Sequence, residues 1–178
     1  RLYAYNGASL NDTTVNNGNM NIEQAGIDGL IVTGGNITAN DGAQVKNAQM
    51  SGGTLMVNIG GEIRNSTING GTQIINGSAS DTTINTNGIQ NVYGTAASTT
   101  INGGTQNIYG SATTTTIDKG IQNVYSSDTA TDTLINSGGI QNIAENGRAV
   151  STTINGGSQN VYGSATNTVL NSGELYAY

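Results

Sequence analysis

The stretch Gly104-Thr105-Gln106-Asn107-Ile108-Tyr109-Gly110 returns almost unchanged as Gly157-Ser158-Gln159-Asn160-Val161-Tyr162-Gly163. Versions of this block surround four more glutamines: Gln73, Gln90, Gln122 and Gln141. When the same register is extended toward both ends of the chain, five further repeats have an apolar residue in the glutamine column: Leu2, Met20, Ile37, Leu55 and Leu175. Successive members of this column lie 16 to 19 residues apart. This period is too short for a two-helix repeat and is typical of one coil of a β-helix.

Neighbouring columns predict which way each side chain points. The residue two places after the glutamine column is apolar in every coil, as Ile108 and Val161 illustrate. Because strand side chains alternate between two faces, the glutamine column must face inward as well. A second inward column ends each Thr-Thr-Ile block and includes Ile84, Ile101 and Ile117. A third lies five residues earlier, at Ala79, Ala96 and Ala112. Three inward columns predict a roughly triangular cross-section.

A glycine column marks one turn of every coil. Two residues before the glutamine column stand Gly18, Gly35, Gly53, Gly71, Gly88, Gly104, Gly120, Gly139, Gly157 and Gly173. We expect this column to have positive φ, a backbone conformation open mainly to glycine. The chain contains no proline, as expected if nearly every N–H donates to the next coil.

These patterns predict an all-β fold, a right-handed parallel β-helix of about ten coils. The handedness follows from the general rule that parallel crossovers are right-handed. We expect residues 1–178 to form a single domain. Its coils over residues 1–68 are less regular, and residues 69–175 form the regular Gln/Asn/Tyr tract.

Composition excludes several classes of function. Only 9% of the residues are charged, and the five basic residues are scattered along the chain, whereas nucleic-acid binding needs clustered Lys and Arg. No apolar run approaches the length of a membrane span, so we expect no membrane insertion by this chain. The chain contains no His or Cys, and its acidic residues are mostly isolated. We therefore expect no cofactor and no metal site.

Two inward polar columns have a structural interpretation. We expect the glutamine amides to hydrogen-bond to one another along the axis, as stacked amides do. The inward threonines are expected to bond within the wall: Thr82, Thr99, Thr115, Thr133 and Thr152.

The outward residues beside the glutamine column are candidates for binding. They form what we call the Asn–Tyr face: Asn91, Tyr93, Asn107, Tyr109, Asn123, Tyr125, Asn160 and Tyr162. Exposed aromatic rings with amides suit protein or sugar contacts, and we predict that this face mediates self-association. The alternative is stacking between coils with no partner.

Two other activities find less support. Asp128, Asp132 and Glu145 lie in or just after the longest coil, where a paired-carboxylate glycosidase site is conceivable. The chain has no cleft-forming insertion, which argues against catalysis. Outward Thr83, Thr100 and Thr116 form a rank of the kind seen in ice binding, but flanking asparagines interrupt the flat Thr-x-Thr array.

The repeat unit Gly-Ser-Ala-x-x-Thr-Thr-Ile-Asn-Gly-Gly-x-Gln-Asn-Val-Tyr is clearest from Asn69 to Leu170. It resembles the passenger repeats of AIDA-type self-associating autotransporter adhesins, whereas the first 60 residues match only in period and columns. The resemblance implies a bacterial surface β-helix that mediates aggregation, biofilm formation and adhesion. It also implies modification by heptosyltransferases. Candidate acceptors are Ser78, Ser111, Ser164, Thr83, Thr100, Thr116 and Thr153.

We therefore expect a non-enzymatic adhesin segment on the cell surface. Its expected partners are further copies of itself, a protein glycosyltransferase, and a host-surface receptor or glycan. Since the resemblance implies a signal peptide and a translocator barrel that these 178 residues do not contain, we expect the sequence to be an excised passenger fragment. Two alternatives remain open, a carbohydrate-active β-helix enzyme of the lyase or depolymerase type and a purely structural stalk.

Overall fold

The computed structural model describes residues 1–178 and is all-β. Its strands are β1 (Leu2–Tyr5), β2 (Ser9–Asn11), β3 (Thr14–Val15), β4 (Asn19–Glu23), β5 (Gly26–Asp28), β6 (Ile31–Val32), β7 (Asn36–Ala39), β8 (Gln44–Lys46), β9 (Gln49–Val57), β10 (Glu62–Ile75), β11 (Ser78–Asn85), β12 (Gly88–Val92), β13 (Thr95–Ile108), β14 (Ser111–Val124), β15 (Thr129–Asn136), β16 (Gly139–Ile143), β17 (Arg148–Val161), β18 (Ser164–Thr166) and β19 (Val169–Ala177). No helix is long and apolar enough to cross a membrane.

Every strand pairs in parallel with the equivalent strand of the next coil. Gln90 of β12 lies opposite Gln73 of β10 on one side and Gln106 of β13 on the other. The alanine column is in the same register, with Ala96 opposite both Ala79 and Ala112. The predicted parallel β-helix of about ten coils is therefore confirmed.

The strands change in length along the rod. The strands from β1 to β8 have two to five residues. Further on, β10, β13, β14 and β17 each run for 14 residues, through the corners of the coil. The interior of the first coils is apolar throughout, with Met20, Ile37 and Leu55 buried where later coils carry glutamine.

The prediction of positive φ holds for half of the glycine column; four other members have a different cause, and Gly18 has neither positive φ nor a close contact at its Cβ position. Gly35, Gly53, Gly71, Gly120 and Gly173 have positive φ, as expected. In four other coils the preceding residue takes that conformation instead: Asn87, Gly103, Gly138 and Gly156. The column glycines that follow are needed for space. A Cβ on Gly104, for example, would lie 2.5 Å from the backbone oxygen of Asn85 and 2.6 Å from Cγ2 of Ile84.

A second left-handed column lies at another corner and was not predicted. Its members have φ between 49° and 75°: Asp12, Gly29, Asn47, Asn65, Asp81, Ser98, Thr114, Asp132, Ser151 and Asn167. The sequence spacing between inward residues indicates this corner. Inward Ala79 and inward Thr82 are three residues apart, and an odd spacing between two inward residues requires a bend between them. The left-handed residue makes that bend.

Candidate binding face

The glutamine column forms a hydrogen-bonded stack along the axis. All six glutamines of the stack are fully buried. The Nε2 of Gln90 donates to Oε1 of Gln73 at 2.7 Å, and the Nε2 of Gln106 donates to Oε1 of Gln90 at 2.8 Å. The pattern continues through Gln122 and Gln141 to Gln159. The prediction of stacked interior amides is confirmed.

The inward threonines bond differently from the prediction. The second N–H of Gln106 donates across the interior to Oγ1 of Thr99 at 3.1 Å, and Gln122 pairs with Thr115 in the same way. The prediction that these threonines bond within the wall was wrong, because Gln and Thr both point at the axis from adjacent faces. The amide has two N–H groups and uses one along the axis and one across it.

The asparagines of the Asn–Tyr face form a second, outer stack. Asn107 donates to Asn91 and Asn123 donates to Asn107, each at 2.9 Å. The stack continues through Asn142 to Asn160. Each internal amide uses one N–H and one oxygen lone pair along the stack, which leaves a second N–H and a second lone pair for solvent or a partner. These side chains are half-buried.

The tyrosines stack ring on ring in the adjacent column. The ring centroids of Tyr93 and Tyr109 are 4.7 Å apart, and those of Tyr109 and Tyr125 are 4.5 Å apart. Burial between its neighbours, followed by the hydrogen bond to Tyr125, raises the pKa of Tyr109 to about 12. The hydroxyl of Tyr109 is therefore held neutral, and the stacked ladder presents its ring edges outward. The stacking between coils that the sequence offered as the alternative is present.

One ring is missing from this ladder. The coil after Tyr125 carries Ala144 in the tyrosine column, and the following coil carries Tyr162. Tyr162 stacks on Tyr178 at 4.4 Å instead. The eight residues of the Asn–Tyr face therefore fall into two groups, one from Asn91 to Tyr125 and one from Asn160 to Tyr162. Sequence reasoning missed this interruption, although alanine in the tyrosine column is its signal.

A cleft of about 230 Å³ lies at the interruption. We call it the ring slot and define it by its lining residues: Asn123, Val124, Tyr125, Asn142, Ile143, Ala144 and Tyr162. Its ends are tyrosines and its walls include two asparagines of the outer stack. No charged side chain lines it.

The candidate acceptor hydroxyls occupy two other columns. Thr83, Thr100 and Thr116 lie in register on successive coils; Leu134 interrupts the column before Thr153. Ser78, Ser111 and Ser164 belong to a column that also contains Thr95, Thr129 and Arg148. Among the seven candidates Ser164 is exposed and the others are half-buried.

The three acidic residues considered for catalysis have separate environments. Asp132 has a φ of 54° and belongs to the corner column, which gives it a backbone role. Asp128 is half-buried, and burial raises the pKa of its carboxyl group. Glu145 is exposed in a turn. No group of three or more acidic residues is arranged to hold a metal ion.

Comparison with known proteins identifies a similar solved structure. No protein-family model and no curated protein matches the chain. Among solved structures it is similar to a fragment of TibA, described as hyper-glycosylated in a reaction catalysed by TibC. The two chains are 30% identical with a TM-score of 0.85, and the alignment covers 99% of this chain and 77% of the TibA fragment.

Proposed function

This chain belongs to the AIDA-type family of self-associating autotransporter adhesin passengers, and we propose that its Asn–Tyr face mediates homotypic, lateral association. In this proposal the chain is non-enzymatic and is displayed on the bacterial surface. Association between rods on different cells then produces aggregation, biofilm formation and adhesion.

The repetition of the Tyr93, Tyr109 and Tyr125 ladder on one rigid wall carries this proposal. Each rung presents the same ring edge and hydroxyl one coil apart, so two rods side by side match several rungs at once. Weak contacts held in register add through effective concentration. Only 9% of the residues are charged, so repulsion between like rods is small.

Sedimentation velocity of the purified chain over rising concentration tests the proposal. We expect the weight-average sedimentation coefficient to increase with concentration and to fall again on dilution. A single monomeric species over the whole range would contradict self-association by this segment.

We further propose that outward hydroxyls accept sugar from a protein glycosyltransferase. The hyper-glycosylation of the related TibA fragment supports this, as do the two regular hydroxyl columns on the present chain. We expect Ser164 to be modified first, because it is the exposed member of the seven candidates. Peptide mapping after coexpression with the cognate transferase is the measurement, and unmodified peptides across all seven positions would count against the proposal.

A structural stalk is the second candidate function. The observation that favours it is that, within the chain, the asparagines hydrogen-bond to one another and the tyrosine rings stack on one another. A stalk needs no partner, so it predicts the concentration-independent result of the sedimentation experiment.

A further inference from the structure

The ring slot is the space that a tyrosine ring at position 144 would fill. Tyrosine rings on neighbouring coils stack at 4.4 to 4.7 Å in this chain. Tyr125 and Tyr162 are two coils apart, so about 9.6 Å separates their levels at about 4.8 Å per coil. That distance admits one inserted ring with an aromatic face above and another below, each within the usual stacking range of about 4.5–7 Å.

The size of the cleft restricts the occupant to a single ring. Pockets for drug-sized ligands enclose about 300–1,000 Å³, whereas this cleft measures about 230 Å³. A tyrosine from another Tyr ladder is a poor fit, because the rings at the centre of that ladder are stacked on both faces by their own neighbours. The occupant is therefore a free or terminal ring.

The coils of Tyr125 and Ala144, at the slot, also have the longest turns of the regular tract. Six residues of spacing separate inward Val124 from Ala130 and Ile143 from Ala149, compared with four from Ile108 to Ala112. The two turns stack, and the N–H of Ser127 donates to the carbonyl oxygen of Asn146 at 3.0 Å. Each longer turn therefore has two additional residues, and the two turns carry polar side chains: Ser126, Ser127, Asp128, Glu145 and Asn146.

We propose that the ring slot binds one neutral pyranose ring between Tyr125 and Tyr162. The C–H groups of a sugar ring are weakly positive and suit the negative faces of the two aromatic rings. Its hydroxyls pair with the spare amide groups of Asn123 and Asn142 and with the polar turns beside the slot. Asp128 and Glu145 in those turns do not line the slot, but they place acidic groups beside it, which disfavours anionic sugars.

This site differs from the self-association surface in mechanism, although it lies within the Asn–Tyr face. The use of the slot in adhesion rests on the proposed function, whereas sugar binding itself does not. The experiment therefore uses dilute protein, at a concentration where sedimentation shows a monomer.

Methyl glucopyranoside and methyl galactopyranoside are the probes, with glucuronate and phenol as comparisons. Saturation-transfer NMR reports contact with the sugar ring, and tyrosine fluorescence gives the affinity, since the chain has no tryptophan. We expect a dissociation constant on the order of 1 mM for at least one neutral glycoside, as suits a ligand of one ring. Glucuronate is expected to bind more weakly.

The decisive variant is Ala144→Tyr, which supplies the missing rung. It should weaken glycoside binding by about tenfold or more, a difference of about 1.4 kcal/mol. Asn76→Tyr is the matched control. It adds a tyrosine next to Tyr93, one coil beyond the end of the ladder and away from the slot, and should leave binding unchanged. If Ala144→Tyr fails to fold by circular dichroism, Tyr162→Ala removes one wall and should also abolish binding.

Three results would overturn the proposal. They are no glycoside contact with the parent chain, unchanged glycoside binding in folded Ala144→Tyr, and phenol binding that exceeds the binding of both glycosides. If the parent chain binds a glycoside but does not self-associate at any concentration, the proposed function of the Asn–Tyr face is contradicted and the proposed sugar site is not.

Discussion

At the scale of single residues, the corner column imposes a conformation that most side chains avoid. Asparagine, aspartate and glycine tolerate positive φ, and seven of the ten coils use one of them at this corner. Thr114 is the exception with a β-branched side chain, at a φ of 54°. Because its side chain is exposed, no packing contact offsets the strain.

Thr114→Asn should therefore stabilise the fold. Relief of the left-handed strain is expected to contribute about 1 kcal/mol, which raises the melting temperature of a chain of this size by about 2–4 °C. Thermal unfolding followed by circular dichroism measures the change. Thr113→Asn is the matched control, since Thr113 is also exposed but has ordinary strand geometry. An equal effect of the two substitutions would show that the strain at Thr114 is negligible.

At the scale of the element, the glutamine stack depends on each member having neighbours. Gln106 donates to Gln90 and accepts from Gln122, so its loss leaves the buried Oε1 of Gln90 without a donor. Gln73 is at the end of the stack, where the column continues as Leu55. If Gln73 is replaced, one buried N–H of Gln90 loses its acceptor, but the other still donates to Thr82. Loss of Gln106 also leaves an N–H of Gln122 without its acceptor, so it unpairs two buried groups.

The same substitution should therefore have unequal costs at the two positions. We expect Gln106→Leu to lower the free energy of unfolding by about 1–3 kcal/mol, the cost of an unpaired buried polar group. Gln73→Leu should cost less than Gln106→Leu, because it leaves one buried group unpaired and Gln106→Leu leaves two. Urea unfolding of both variants measures the difference. Equal losses would show that side-chain volume, and not hydrogen bonding along the axis, determines stability at these positions.

The sequence predicted which residues face inward better than it predicted which of them contact one another. The alternation from Gln106 to Ile108 was enough to place the glutamine inside. The partner of Thr99 could not be predicted, because it lies on an adjacent face whose angle depends on the corner between them. That corner could have been inferred from the odd spacing between Ala79 and Thr82. The break in the Tyr ladder at Ala144 was visible in the sequence, but the slot that it creates depends on the stacking distance between coils.

At the scale of the whole molecule, each wall of the rod carries the same residue types on successive coils. The Tyr ladder and the Thr83, Thr100 and Thr116 column each present the same residue type on three successive coils. The two columns lie on different walls. They therefore provide a matched pair of surfaces with equal spacing and different chemistry.

Two triple variants displayed on cells test whether the Tyr ladder is the contact surface between rods. In the first, Tyr93, Tyr109 and Tyr125 are changed to Lys; in the second, Thr83, Thr100 and Thr116 are changed to Lys. Both add three charges at one-coil spacing, so any loss of stability from repulsion is matched and is monitored by circular dichroism. We predict that the tyrosine variant abolishes the settling of cell suspensions while the threonine variant settles like the parent. If the folded tyrosine variant settles at the parent's rate, the Tyr ladder is not the contact surface between rods.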